Sequence, residues 1–369
     1  MTPTVKPISI IPTERQMSLV RFSPDGRMLY AAGRDGRIHR WDVSQPIDAA
    51  PAGAQPGATN NEPNSKGPRY AELAPLAGHD GWVSAIAMHP QQPVIFSSDT
   101  WGRLIAWKLD SEPPSILWNQ PQAHSSWIRQ ITLSPDGERL ATCGMDKQIR
   151  LWSSRDGKLE REWPLASDDI FSIAFHPDGK AIVAGDLKGI VRHWNLADGS
   201  LVREFDAKSL YLLSYIQDVG GVRVLAFTPD GKSLAVAGAQ PANGGFVEAI
   251  PTLKLFDWST GAETQSIKLG EKTEGFVHDL AFHPEGFWMG VTSGQPGRGG
   301  VFFLRPGEPQ PFYTQALPNC HSIALAAAPK QLAVLANAGT YGQMKSMARQ
   351  GIYPGNNSPI HLLEIGSTT

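Results

Sequence analysis

Cysteine is almost missing from this chain: Cys143 and Cys320 are the only two in 369 residues. They stand in non-adjacent repeats, so neither a disulfide framework nor a cysteine-built metal cage is expected. Nor is there an apolar run approaching the ~20 residues a membrane-spanning helix needs. Met1 to Pro12 carries one Lys and too short an apolar stretch for a secretory signal, so no membrane contact is expected and the cytoplasm is the expected location. Charge of one sign is lacking as well, since 33 Lys plus Arg against 35 Asp plus Glu leave a net −2 with the two signs interspersed. Without a basic field to attract phosphate backbone, nucleic acid is not an expected partner. What the chain does have is turn residues, 37 Gly and 30 Pro, which is the bias of many tight turns rather than of low-complexity disorder.

Those turn residues are periodic. Ser23-Pro24-Asp25-Gly26 returns as Ser134-Pro135-Asp136-Gly137, His176-Pro177-Asp178-Gly179, Thr228-Pro229-Asp230-Gly231 and His283-Pro284-Glu285-Gly286, with degenerate copies around Pro90 and Pro329. Ser or Thr accepts a hydrogen bond at the first corner, Pro presets φ at the second, and Gly releases the chain at the fourth. In the first four units the proline is followed by a tryptophan at a constant distance: 24 to 41, 90 to 107, 135 to 152 and 177 to 194. Two short strands and one further turn fill that span, so each unit is a small antiparallel sheet, and a fixed repeat of this kind decides architecture before any catalytic motif is sought.

Phe22-Ser23-Pro24-Asp25-Gly26, then Gly33-Arg34-Asp35-Gly36, Trp41-Asp42 and Gly78-His79 resemble the repeat of the WD-repeat β-propeller family, over nearly the whole chain. The resemblance implies an all-β, seven-bladed β-propeller of four-stranded antiparallel sheets, a single domain over 1–369. Units five to seven depart from it, with Phe256-Asp257, Phe302-Phe303 and Leu362-Leu363 where Trp-Asp is expected. The last unit runs out of residues after its third strand, so Val5 to Ile11 is expected to supply the fourth and close the ring, removing two open sheet edges. Departures from the proline ruler place one-face insertions at 208–221, 240–251 and 339–358; a flexible insertion at 44–69 should emerge on the opposite face.

Aligned on the proline, the inner strands show apolar residues four and two positions before it and small ones between, facing a crowded channel. A further apolar residue seven positions before the proline (Met17, Val83, Ile128, Ile170, Val222, Val277) breaks the period of two, which a β-bulge would restore. Eight positions before the prolines stand Gln16, Trp82, Trp127, Asp169, Gly221, Phe276 and His321; six before stand Ser18, Ser84, Arg129, Phe171, Arg223, His278 and Ile323. The resemblance implies that these mouth positions touch partners, and rigid aromatic rings beside Arg are what an interface hot spot uses. The alternative for these aromatics is packing against neighbouring loops. The inserted loops add Tyr341, Arg349 and Tyr353 on the same face.

His124, Thr142, Asp146 and Trp152 match the family's hydrogen-bonded network within a blade. No nucleophile motif accompanies the His and Asp, so a structural role is favoured over a catalytic pair. In the second unit Trp101 stands where the network Asp is expected, which leaves that network in question and Trp101 free for contact. His89, His176 and His283 recur at one turn position on separate blades, too far apart to share a metal. Gly294 to Gly300 lacks the following helix that a phosphate loop requires. The reading is a non-catalytic, monomeric scaffold that binds a protein or peptide on the insertion-bearing face, without cofactor or metal. The alternative is an enzyme or small-ligand binder using His278, Asp279, Arg223 and Arg129 in the central channel.

Overall fold

The structure is a computed structural model that describes residues 4–47, 67–164, 168–214, 217–243, 248–326, 330–337 and 357–366. Seven four-stranded antiparallel sheets form the blades of a β-propeller, with one added two-stranded hairpin. Blade 1 is Met17–Phe22, Met28–Gly33, Arg37–Ile47 and Arg69–Ala77, and blades 2 to 6 repeat that meander.

Each inner strand carries one register shift: at Met17/Leu19, Val83/Ala85, Ile128/Gln130, Ile170/Ser172, Val222/Val224, Val277/Asp279 and Cys320/Ser322. The residue before each shift is buried in the seam between blades, and so is the apolar residue three further on, from Val20 and Ile86 to Leu280 and Ile323. The residue inside the shift leaves the ladder. Six of the seven bulges fall where the proline alignment puts them.

Blade 7 is different. Cys320 pairs with Ala336 as Met17 pairs with Gly33, and the Asn337 amide bonds the Asn319 carbonyl as Arg34 bonds Gln16. Counting back from Pro329 therefore misses the register by two residues, and the mouth positions of this blade are Asn319 and His321, not His321 and Ile323. Ile323 is buried against blade 6 rather than at the mouth. The place of the repeat tryptophan also moves in the sixth and seventh blades. Leu304 faces Trp288 and Leu363 faces Leu332, as Trp41 faces Leu29, so Phe302 and Leu362 are not the equivalents.

The ring closes as expected from the sequence. Thr4–Ile11 pairs antiparallel with Ile360–Gly366, from Thr4 opposite Gly366 to Ile11 opposite Ile360. Ile11, Met17, Val20 and Trp41 share one apolar cluster with Ala324, Leu335, Ile360 and Leu362, so the two chain ends have a common core. Ser358 fastens the seam. Its Oγ accepts from the Met17 amide at 3.0 Å, its carbonyl accepts from the Thr13 hydroxyl at 3.0 Å, and its hydroxyl donates to Asn337 Oδ1 at 2.7 Å.

The insertion at 240–251 is an extension of the sheet rather than a loose loop: Ser233–Asn243 and Glu248–Asp257 stay paired out to Asn243 opposite Glu248. Residues 208–221 form a 3₁₀ turn, Lys208–Leu210, and a hairpin in which Tyr211 pairs with Gly220. Val222, which opens the inner strand, pairs with Gly238, so the residues beyond 238 and the hairpin that ends at Gly220 lie at one end of blade 5. Ile47 and Arg69 pair at the end of blade 1 away from the mouth positions, and residues 48–66 of the insertion expected at 44–69 lie outside the described residues. Tyr341, Arg349 and Tyr353 lie outside the described residues.

Candidate functional site

The seven bulges decide the lining of the channel. A bulge residue has no cross-strand partner and swings off the pleat. The bulge residues Ser18, Ser84, Arg129, Phe171, Arg223, His278 and His321, one from each blade, all line a central cavity of about 700 Å³. A second recess, about 360 Å³, opens above it between Trp82, Trp127, Arg34, His278 and His321. The two share Ser18, Ser84, His278 and His321 in their walls.

Around half the circumference the side chains interleave. The Arg129 guanidinium lies 4.0 Å from the Trp127 ring centre and 4.9 Å from that of Phe171. Arg223 lies 3.9 Å from Phe171 and 5.1 Å from Phe276, and Phe276 meets the His278 ring edge-on at 6.1 Å. Six of the residues singled out from the sequence thus form one strip over blades 3 to 6. Each desolvated cation–π contact contributes roughly 0.5–2 kcal/mol, which holds the guanidiniums in place without using their N–H donors. Trp82 stands apart, 47% exposed, with Arg34 stacked 4.7 Å from its ring. Arg34 was not marked by the alignment, since the signal is only that it follows Gly33 at the mouth end of the second strand.

Charge in the strip is poorly balanced. Burial lowers the Arg129 pKa, and burial together with the charge of Arg129 lowers that of Arg223 to about 10. The nearest carboxylate, Asp169, lies 3.8 Å from Arg129, outside hydrogen-bonding distance. His278 touches the open channel, yet protein surrounds it. That desolvation and then the neighbouring His321 lower its pKa to about 4, so it is neutral at pH 7. Asp279, next in sequence, is occupied elsewhere: its Oδ2 accepts from Arg21 Nη1 at 2.9 Å, Ser322 Oγ at 2.8 Å and the Ile323 amide at 3.1 Å. It ties together blades 1, 6 and 7 rather than facing the cavity as a free base.

Buried networks fix the loops that display the tryptophans. In blade 3 the Trp152 indole donates to Thr142 Oγ1 at 2.9 Å, the threonine hydroxyl donates to His124 Nε2 at 2.6 Å, and His124 Nδ1–H donates to Asp146 at 2.8 Å. Burial lowers the His124 pKa; Asp146, despite a burial penalty, is held at about 2 by His124 and Arg150. Blade 2 has the same network complete, which corrects the doubt raised by Trp101. Trp107 donates to Ser97 at 2.8 Å, Ser97 meets His79 Nε2 at 2.7 Å, and His79 Nδ1–H donates to Asp99 at 2.9 Å. The acid sits two residues earlier, at the end of a strand rather than in the turn. Trp101 is accordingly left at the surface, 70% exposed, with its amide anchored on Asp99.

The three turn histidines serve local packing. His176 Nε2–H donates to the Gly231 carbonyl in the next blade's turn at 3.0 Å, and the His89 ring abuts Gly137, where φ is +78° and an added Cβ would collide with the imidazole. His283 stacks on Phe287 within its own blade.

A family model, WD domain, G-beta repeat, matches residues 14–42, 71–108, 117–153 and 157–195. Four repeats of this chain are thus similar to the WD repeat, within a chain whose seven sheets form a β-propeller. The matched segments carry the tryptophans of blades 1 to 4, those that keep the proline-to-tryptophan ruler. Among curated relatives, protein groucho of Drosophila melanogaster is 29% identical over 46% of this chain and 20% of its own length. Small ribosomal subunit protein RACK1 of Drosophila melanogaster is 36% identical over 23% of this chain and 28% of its own, and that of Dictyostelium discoideum 30% over 24% and 28%. The chain thus covers well under a third of these relatives' length. Among the described residues, no helix is long and apolar enough to cross a membrane.

Proposed function

We propose that this propeller is a non-catalytic interaction scaffold that binds a protein or peptide segment at the channel mouth, on the face bearing the 208–221 and 240–251 insertions. The observation that carries this reading is the strip Trp127, Arg129, Phe171, Arg223 and Phe276, whose rings and guanidiniums pack on one another, with Arg129, Phe171 and Arg223 lining the central cavity and Trp127 the recess above it. Preordered aromatic and Arg side chains give contact area with little entropy left to lose, which is how a few residues come to dominate an interface. Trp82 and Trp101 would extend the contact over blade 2. Against the enzymatic alternative, Asp279 is spent on the Arg21 and Ser322 clamp, and among the described residues no Ser or Cys paired with a base lines the cavity. One relative is named as a small ribosomal subunit protein, a part of a larger assembly, and function in this fold lies in the grafted site rather than in the architecture.

The test is selection of displayed random dodecapeptides on the intact protein, followed by titration of a selected peptide. Trp127→Ala should weaken binding about 30-fold or more, the size of a hot-spot truncation. Leu201→Ala, on an outer strand, should leave it unchanged. Equal affinity for wild type and Trp127→Ala would refute the assignment of this face.

A further inference from the structure

Resting on that reading, we infer that the channel mouth is an acceptor for an anionic side chain of the bound peptide, a carboxylate or a phosphoryl group held between Arg129 and Arg223. The two guanidiniums flank the same Phe171 ring, at 4.9 and 3.9 Å from its centre, so they occupy neighbouring positions on one wall of the cavity. Among the described residues, Arg129 makes no hydrogen bond and its buried Nε has no partner. Arg223 spends only Nε, on the Gly220 carbonyl at 3.0 Å. Most of the N–H donors of two cations that line the cavity therefore have no hydrogen-bond partner among the described residues.

Every other charged group facing this strip fails to neutralise it. Asp169 stays 3.8 Å from Arg129, Asp279 is engaged by Arg21, Ser322 and the Ile323 amide, and His278 and His321 are held neutral by burial. Arg34, across the upper recess, adds a third cation. Elsewhere in the molecule arginines of similar burial are paired: Arg40 with Glu112 at 2.7 Å, Arg150 with Asp146 at 2.8 Å and Arg192 with Asp186 at 2.9 Å. A desolvated guanidinium without a bonded anion is costly, and the missing counter-ion is what a ligand can supply. A planar fork matches the two oxygens of a carboxylate or the three of a phosphoryl group, and the flanking rings exclude water. A neutral or cationic side chain would leave the donors unmet.

The test uses the peptides selected on the intact protein. A single Asp or Glu position should be enriched. Replacing that residue in the peptide by Gln or Asn should cut affinity at least ten-fold, and phosphoserine at the same position should bind, its affinity relative to Glu identifying the preferred anion. Arg129→Gln and Arg223→Gln should each abolish the preference for Glu over Gln while leaving the melting temperature within a few degrees; the peptide-side exchange reads the same contact without altering the protein. Selected peptides that lose affinity with Trp127→Ala but show no acidic enrichment would overturn this inference and leave the scaffold reading standing. Peptides indifferent to Trp127→Ala would overturn both. Displacement of the peptide by a single-stranded oligothymidylate at lower concentration than by the free acidic peptide would also refute it, marking the arginines as a nucleic-acid site.

Discussion

Blades 2 and 3 are held by polar chains, and blades 5 to 7 are not. In the first pair a buried Trp, a Ser or Thr, a His and an Asp are hydrogen-bonded in series. In the later blades the position of that tryptophan is taken by Phe256, Leu304 and Leu363, each nearly or fully buried. All seven sheets have the same four strands, so the networks are not what makes a blade. They hold loops. His79 and Asp99 bind the segment that ends at Trp82 to the turn that bears Trp101, with the Thr100 amide on the Trp82 carbonyl at 3.0 Å. The Met145 amide bonds the Trp127 carbonyl at 3.0 Å, beside His124 and Asp146. The polar blades are those that present tryptophans at the mouth, while the blades that complete the ring are built without a Trp–Ser/Thr–His–Asp series and are joined by the Asp279 and Ser358 clamps.

This contrast can be broken most severely at the seam, which has no polar network of that kind and depends on the first strand. Removing residues 1–12 exposes the edge of Ile360–Gly366 and opens the shared apolar cluster. Calorimetry should show a sharp fall in melting temperature or aggregation; an unchanged curve would refute closure by the N-terminal strand.

Thr142→Val and Leu304→Ala compare the two kinds of blade directly. The first leaves the Trp152 indole and His124 Nε2 unpartnered, at about 1–3 kcal/mol for each buried group. The second empties a fully buried apolar site, at about 2–5 kcal/mol. Stability losses should be similar, but only Thr142→Val should speed hydrogen exchange at the amides of 125–127 and 145–147. Equal exchange at those amides in both variants would show that the network does not fix the loop.

A smaller effect is expected from acid. Burial lowers the pKa of His124, of His321, and of His193 and His278 to about 4. Below the ordinary histidine value near 6.5 the unfolded chain takes up protons that the folded one refuses, so stability should decline as pH falls from about 6.5 toward 4. A denaturant midpoint constant over that window would contradict these environments. Least of all, Trp101→Ala should change stability by no more than about 0.5 kcal/mol, because its side chain is at the surface.

The sequence was legible wherever one residue had one geometric job. Proline in a tight turn marks where the inner strand ends, so blade number, seam and six of seven bulges followed from it. Where several geometries do the same job, spacing failed. A carboxylate at a strand end, Asp99, reaches its histidine as well as one in a turn, Asp146, so the acid in blade 2 was sought two residues too late. Counting from the sequence position of Pro329 misses the register that cross-strand pairing sets through Cys320, so it puts His321 in the wrong place in the ring. The unbonded guanidinium donors of Arg129 and Arg223 cannot be read from spacing at all, because they depend on Asp169 stopping 3.8 Å from Arg129 and on Asp279 being turned toward Arg21.

The central claim is that the bulge residues and their neighbours at the channel mouth form the partner-binding surface. Hydroxyl-radical footprinting with and without a selected peptide tests it most directly. The account predicts protection of Trp82, Trp127, Phe171 and Phe276 with Leu159, Leu201 and Val202 unchanged, and protection of those outer-strand residues with the mouth aromatics unchanged would contradict it.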